Sequence, residues 1–263
     1  SEKLVRELVC NTRYSNFEII LCIRHGADAS QELKWKEFSR EFKCLRLVYG
    51  SGSRTSLLNV GLQSFAADYA LILGGDVEVR DPDWLNEMVS CFEYGATGIV
   101  GPRLINAKGG LHDSGWILGL DGGVGPWFRN RHLDDPGPFS RLSVRQSVSA
   151  ISGVCMLISR ECRESVGYLD ERYMTECIGA DYCVRAAAQS FRVVWTPFAT
   201  LRLSSEQLSE VSIERENDLT LFNSRHSSTA KCDVAYSPWY STDRAVPAII
   251  LPEKIPGPRS AGI

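Results

Sequence analysis

The sequence predicts an α/β fold, a mostly parallel mixed sheet flanked by helices, on three observations. Short apolar runs rich in β-branched residues alternate with helical stretches through the first hundred residues, which is the pattern of parallel strands joined by helical crossovers. Glycines and acidic residues gather just past the carboxyl ends of those runs, where ligands of such sheets usually sit. The length of 263 residues, 44% of them hydrophobic, suffices for one large core.

Each element has its own warrant. LVRELVCNT reads as a first helix, FEIILCI (17–23) as a strand ending in the turn-prone HGADAS, and KWKEFSREF from Lys34 as a helix by its charge spacing. CLRLVY from Cys44 is a strand, GSGS from Gly50 a break, and SLLNVGLQSFAA a helix. DYALILGGDVEV is a strand to about Leu73, with Gly74, Gly75 and Asp76 at its carboxyl end. PDWLNEMVSCFEYG carries Pro82 near its first turn and Gly95 past its end, the start and stop of a helix.

ATGIVGPRL supplies a further strand, and Asn106 to about Arg145 is expected to form long loops with short strands, given its glycine, proline and aspartate content. SAISGVCMLISRE is a strand, ECRESVG a short helix closed by Gly167, and Asp181–Ser190 a helix that begins at Asp181. FRVVWTP is a strand stopped by Pro197, IERENDLTLFNSR a last helix, and the proline-rich end from Pro247 a mobile tail. No linker divides the chain. A single domain over 1–263 is expected, with a nucleotide-side half (1–100), an acceptor-side half (101–210) and a C-terminal helix and tail (211–263).

Composition removes several function classes. With 29 Lys and Arg against 32 Asp and Glu, the net charge of −3 offers nothing for a nucleic-acid backbone to bind. Nine cysteines form no CxxC pair and lie in apolar runs such as IILCI and VCMLIS, so no metal cluster is read and a reducing, cytoplasmic location is expected. No run reaches the ~20 apolar residues that span a bilayer, and SEKLVREL lacks a signal-peptide profile, so any membrane association is peripheral, at the inner face.

Asp76 and Glu78, just beyond ALILGG, have the oxygen ligands that suit a divalent cation against a diphosphate; an acidic turn capping the next helix is the competing reading. The collinear segments YALILGGDVEVRDPDWLNEM, GIVGPRLINAKGGLHDSGWILGLDGGVG, VSAISGVCMLISRECRESVGYLDERY and DYCVRAAAQSFRVVWTPFA decide between them. Together they resemble the inverting family-two glycosyltransferases of the GT-A fold, most of all the bacterial members that build surface polysaccharides. FEIILCI is similar to the second strand of that fold, SLLNVGL to its Asn-containing helix, and YSPWYS to the Asp-Pro-Tyr-Tyr-Asn segment near the family's C-terminal end.

The resemblance implies a nucleotide-diphosphate sugar donor, a glycan acceptor, Mg or Mn on an Asp-x-Asp motif, and a general base that deprotonates the acceptor hydroxyl as it attacks the anomeric carbon. It places Asp76 at the metal and the donor, Asn59 at the donor, and His112 and Trp127 at the acceptor. Trp116 is expected in the core and Arg185 in a structural ion pair. The departures are as specific as the match. The family's uracil-reading Asp falls on Ile23, the first Asp of its metal motif on Gly74, its Glu/Asn-Asp pair on Ile178 and Gly179, and its downstream His on Leu203.

The base position is therefore glycine. Asp181 survives beside it, expected at the helix start, and Glu176, Asp170 and Glu171 are the candidate substitutes. The first strand of the fold, which would precede LVRELVCNT, is missing from the sequence, and its place is expected to be covered by the proline-rich tail or a partner. A glycosyltransferase-like domain with much reduced activity follows. The alternatives are an inactive binding or scaffolding pseudoenzyme, working with other domains of a larger glycosyltransferase, and a carbohydrate-binding module.

Overall fold

The computed structural model describes residues 1–26, 29–204, 213–228, 233–243 and 248–249. The chain opens with α1 (Glu2–Asn11), whose N-cap Ser1 accepts a hydrogen bond from Leu4 N at 3.3 Å. The strand β1 (Ile19–Arg24), the helix α2 (Ala29–Glu41), the strand β2 (Leu45–Gly50) and the helix α3 (Arg54–Gln63) follow. Ser53 and Ser56 close a reciprocal capping box at the start of α3, which is why the helix begins directly after the glycine-rich break.

β3 (Tyr69–Leu73) leads into a tight turn and then β4 (Val77–Val79), so the expected single strand DYALILGGDVEV divides at Gly74–Asp76. α4 (Trp84–Ser90), β5 (Thr97–Ile105), the short strands β6 (Leu111–Asp113), β7 (Trp116–Leu118), β8 (Val124–Pro126) and β9 (Gln146–Ser147), and β10 (Cys155–Ser159) come next. α5 (Arg160–Val166), α6 (Cys177–Ala188), β11 (Arg192–Leu203) and α7 (Ile213–Arg225) complete the order.

The main sheet runs β3-β10-β5-β11-β4, with β6 beside β5 and β9 beside β11. β10 is antiparallel to both β3 and β5, β11 is parallel to β5, and β4 is antiparallel to β11. β3, β5 and β11 thus share one direction, and the mixed sheet of the expectation is what forms. β5 lies at its centre and is buried along most of its length, which explains its near-continuous apolar sequence. β1 and β2 pair in parallel as a separate two-stranded sheet.

Two expectations change here. Pro197 does not stop its strand: β11 continues to Leu203, and the ladder absorbs the proline where Thr196 and Thr200 pair with the adjacent Pro102 and Arg103. Proline cannot donate to the ladder, so the extra residues bulge outward and pairing resumes beyond them. The stretch from Asn106 to Arg145 is irregular as expected, yet it is core. Trp116, Ile117, Leu120, Val124, Trp127 and Phe128 are all buried in the largest apolar cluster, together with Tyr173, Trp195 and Phe222. Trp116 thus lies in the core, as the sequence suggested.

Tyr236 belongs to that same cluster and meets Trp127 edge to face, so the described part of the C-terminal segment packs on the β7–β8 side. The tail from Pro247 lies outside the described residues apart from Ala248 and Ile249. No helix among the described residues is long and apolar enough to cross a membrane.

Candidate functional site

Asp76 occupies the turn that carries the chain from β3 to β4 at the rim of the sheet. Its backbone carbonyl accepts from both Ser204 N (2.8 Å) and Ser204 Oγ (2.9 Å), which ties the turn to the end of β11. The side chain is half-buried, beside exposed Gly75, and Gly75 O accepts from the Ser1 hydroxyl at 3.4 Å. The amino end of α1 therefore lies at this rim. A Cβ on Gly74 would meet Asp76 Oδ1 at 3.0 Å and Val154 Cγ1 at 3.3 Å, so a second carboxylate at position 74 would crowd the one that is there.

From this turn the backbone connects inward. Gly74 N donates to Val154 O (2.7 Å) and Gly153 N to Glu176 O (3.0 Å), joining the rim to the start of α6 through residues 152–154. Glu176 precedes α6 and is 4% exposed. Its Oε2 accepts from Ser152 Oγ at 2.7 Å and lies 3.5 Å from His112 Nε2, which in turn lies 3.8 Å from Asp113 Oδ2. Asp113 also accepts from Gly115 N (3.3 Å) and Trp116 Nε1 (3.4 Å).

The protonation of this cluster follows from its burial. Desolvation pushes Asp113 up to about 6, against the pull of His112 and helped by the charge of Glu176. Burial would lower His112, but its hydrogen bond to Glu176 and the charges of Asp113 and Glu176 outweigh that and hold the imidazole above its ordinary value. Burial would raise Glu176, and the same imidazole together with Ser152 holds it below the usual carboxylate range. The result is a histidine–carboxylate pair at a helix amino end, where negative charge is favoured.

The position of the expected base is closed. A Cβ on Gly179 would lie 2.4 Å from Gly153 N and 2.5 Å from Ile151 O, backbone atoms of the 151–153 segment that crosses the start of α6. No side chain fits there without moving one backbone away from the other. Nor is Asp181 at a helix start: α6 begins at Cys177, and Asp181 is fully buried inside it. Its oxygens take Arg185 Nε at 2.9 Å and His226 Nε2 at 2.8 Å, with Arg225 Nε at 3.6 Å. Arg185 is the structural ion-pair partner that the sequence suggested, and Asp181 is its counterpart.

Other sequence candidates are likewise structural. Asn59, expected at the donor, clamps α3 to the loop before α6: its Nδ2 donates to Leu169 O and Glu171 Oε1, both at 3.0 Å, and its Oδ1 accepts from Leu169 N at 3.0 Å. That uses every hydrogen-bonding atom of the amide and occupies Glu171 as well. Asp170 is paired with Arg172 and Arg225. His112 is 3% exposed, inside the cluster, rather than facing an acceptor. Trp127 is 2% exposed, packed by Phe128, Tyr236 and the Arg141 guanidinium, and offers no open face on which a sugar could stack. Ile23 and Leu203 are buried core residues.

Sequence reasoning missed Asp218. This α7 carboxylate accepts from Met174 N (3.1 Å), Thr175 N (2.8 Å) and Thr175 Oγ1 (2.6 Å), and so holds the loop that presents Glu176. An aspartate inside an amphipathic helix, at a buried position, was the available signal. Among the described residues no group of three His, Cys, Asp or Glu side chains is placed to hold a metal ion. A divalent ion bound by protein ligands alone does not fit a rim that offers Asp76 without a second carboxylate at Gly74.

Comparison with known proteins agrees with the fold. No protein-family model matches the chain. A mannosyltransferase from Pyrobaculum calidifontis, solved with GDP-Man and Mn²⁺, superposes with a TM-score of 0.61 at 13% identity, over 86% of this chain and 60% of that one. GalNAc-T7, solved with UDP, GalNAc and Mn²⁺, gives 0.58 at 16% identity, over 76% of this chain and 39% of that one. In sequence, the chain is 32% identical over 206 residues to an uncharacterised protein, y4gI, of Sinorhizobium fredii, covering 75% of this chain and 22% of that protein. It is 27% identical over 195 residues to the O-antigen biosynthesis protein RfbC of Myxococcus xanthus, covering 73% of this chain and 15% of that one.

The fold is that of the GT-A glycosyltransferases. The likeness to an O-antigen biosynthesis protein fits a glycosyltransferase of the surface-polysaccharide type, and the chain spans under a quarter of each curated relative it matches.

Proposed function

We propose that this is a nucleotide-sugar-binding domain of the glycosyltransferase type, working in cytoplasmic assembly of a surface polysaccharide, whose inverting transfer chemistry is reduced to little or nothing. The observation that carries the reading is the pairing of a half-buried acidic turn at the sheet rim, Asp76, with a base position closed by backbone contact at Gly179. The rim supports recognition of a diphosphate sugar near the amino end of α1. The closed position removes proton abstraction, which typically contributes 10²–10⁴-fold, or roughly 3–5 kcal/mol of barrier.

Glu176 is the carboxylate that remains near the expected base. Its burial and its bonds to Ser152 and His112 support a role in fixing the segment that joins the rim to α6. Other domains of a longer protein would then supply transfer, and this one would hold donor or product. A module that ignores nucleotides has less support, because the aromatic group it would use, Trp127, is packed inside.

The test is titration with uridine, guanosine and thymidine diphosphate sugars, with and without Mn²⁺, following heat and nucleotide release. Binding of one donor without turnover is expected, with little dependence on Mn²⁺. Asp76→Asn should weaken that binding about tenfold, the loss of one charge-assisted hydrogen bond from a donor hydroxyl to the carboxylate, while leaving Tm unchanged. Metal-dependent nucleotide release that Asp76→Ala abolishes would restore a working transferase; absence of binding to every donor would remove the nucleotide-sugar reading.

A further inference from the structure

Arg129 is a half-buried cation that the rest of the fold leaves unmatched. Among the described residues every other half-buried arginine has a partner: Arg131 pairs with Asp135, Arg145 with Glu87 and Arg185 with Asp181, and even Arg103, which has no carboxylate, donates to Leu142 O. Arg129 makes no hydrogen bond or ion pair among those residues. Drawing a guanidinium partly out of water without an anion to receive it is unfavourable.

The backbone that carries it is fixed in an uncommon shape. Phe128 (φ 57°) and Asn130 (φ 63°), on either side of Arg129, are both left-handed, a conformation that a bulky residue such as phenylalanine rarely adopts. Hydrogen bonds hold the segment there: Trp127 N donates to Gly115 O (2.9 Å), Asn130 N to Leu111 O (2.8 Å), Leu111 N to Arg131 O (2.8 Å) and Asn106 Nδ2 to Asn130 Oδ1 (3.0 Å). Strain of this kind persists only where the surroundings enforce it, and it gathers at ligand sites. The segment runs beside β6, which carries His112, and the Arg129 charge lowers the proton affinity of both His112 and Glu176. Arg129 therefore lies near the buried pair that residues 152–154 connect to the Asp76 rim.

A diphosphate is strongly anionic, and the rim is poorly made to offset it with a protein-held divalent ion, because a carboxylate at position 74 would crowd Asp76. We propose that Arg129 is a phosphate-binding residue, whose guanidinium takes a phosphate group of the bound ligand and supplies the positive charge that the rim does not draw from a metal. The planar fork of arginine matches two phosphate oxygens at once, which a lysine at the same place would not do. The proposal rests on the nucleotide-sugar reading for what brings the phosphate. Two ligands could bring it: the donor, in its own diphosphate, or an acceptor that bears a phosphate.

Calorimetric titration of inorganic pyrophosphate into the 263-residue chain, without divalent metal, tests this. Saturable binding is expected. Arg129→Gln should weaken it at least about tenfold, and Arg129→Lys, which keeps the charge and loses the fork, should weaken it less. Arg131→Gln should leave it unchanged, because that guanidinium already serves Asp135. Both Arg129 variants should melt with the native chain, since no hydrogen bond or ion pair among the described residues is removed. Repeating the titrations with uridine, guanosine and thymidine diphosphate sugars separates the two sources. A donor weakened to the same degree by Arg129→Gln carries the phosphate itself; a donor that binds regardless of Arg129 leaves that role to the acceptor. Absence of pyrophosphate binding, or binding that ignores Arg129 or that Arg131→Gln weakens equally, would overturn the proposal and leave the nucleotide-sugar reading to its own test. Pyrophosphate binding that needs Arg129, with no donor bound, would remove that reading and keep the phosphate site.

Discussion

The two sides of the molecule handle buried backbone and charge in different ways. Around α6, the buried charged groups have partners: Asp181 is met by Arg185 and His226, Glu176 by Ser152 and His112, and Asp218 by the 174–175 amides. Around β1 and β3, two strand edges meet an apolar cavity, and β1 and β2 stand as a separate pair. The contrast teaches that the region around α6 is closed by its own side chains, whereas the region around β1 and β3 keeps a cavity between its strands.

The comparison is broken most forcefully at Gly179. Gly179→Ala places a methyl group 2.4 Å from Gly153 N, so a loss of about 3 kcal/mol or more in chemical denaturation is expected. A neutral variant would show that the two backbones separate easily, and the closed-base reading would fail with it. Next in size, Asp181→Ala leaves Arg185 and His226 without their shared carboxylate; a buried pair broken on one side costs about 3–5 kcal/mol, read as a drop in the denaturation midpoint. A cost below 1 kcal/mol would mean that the ion cluster is solvated.

The smallest effect is in pH dependence. Both Asp113 and His112 hold folded-state pKa values above their ordinary ones, so each favours the folded state at low pH and withdraws that support as pH rises through its raised value. Glu176 acts in the opposite sense, losing support only as pH falls below the usual carboxylate range. Stability should therefore decline as pH rises from about 4 to about 6, the interval between the ordinary and the raised value of Asp113, and again above the ordinary range of His112; in thermal melts Asp113→Asn should flatten the first decline. A melt profile of the variant parallel to that of the native chain would sever the link to this cluster.

Most of the fold was legible because its signals are local. The break GSGS, the β-branched run IILCI and the Pro82/Gly95 pair each fix an element from within a few residues, and the structure places elements at all three. Pro197 misled because a proline ends a strand only where the ladder needs its N–H, and the bulge at 196–200 removes that need. Site residues were harder to read. Asn59 and His112 look functional in sequence through the resemblance, and Trp127 because an aromatic side chain between Pro126 and Phe128 in an irregular loop usually faces solvent. Whether they do depends on Leu169, Tyr236 and Glu176, partners 64 to 110 residues away that no short-range pattern reveals. Gly179 was visible as a substitution; that it is also a steric necessity is a property of its contact with residues 151–153.

That contact also limits what can be built at this position. A side chain introduced at 179 lands against main-chain atoms, so installing an acidic group there means parting the 151–153 segment from the beginning of α6. New chemistry in this molecule is easier to engineer on a different side chain.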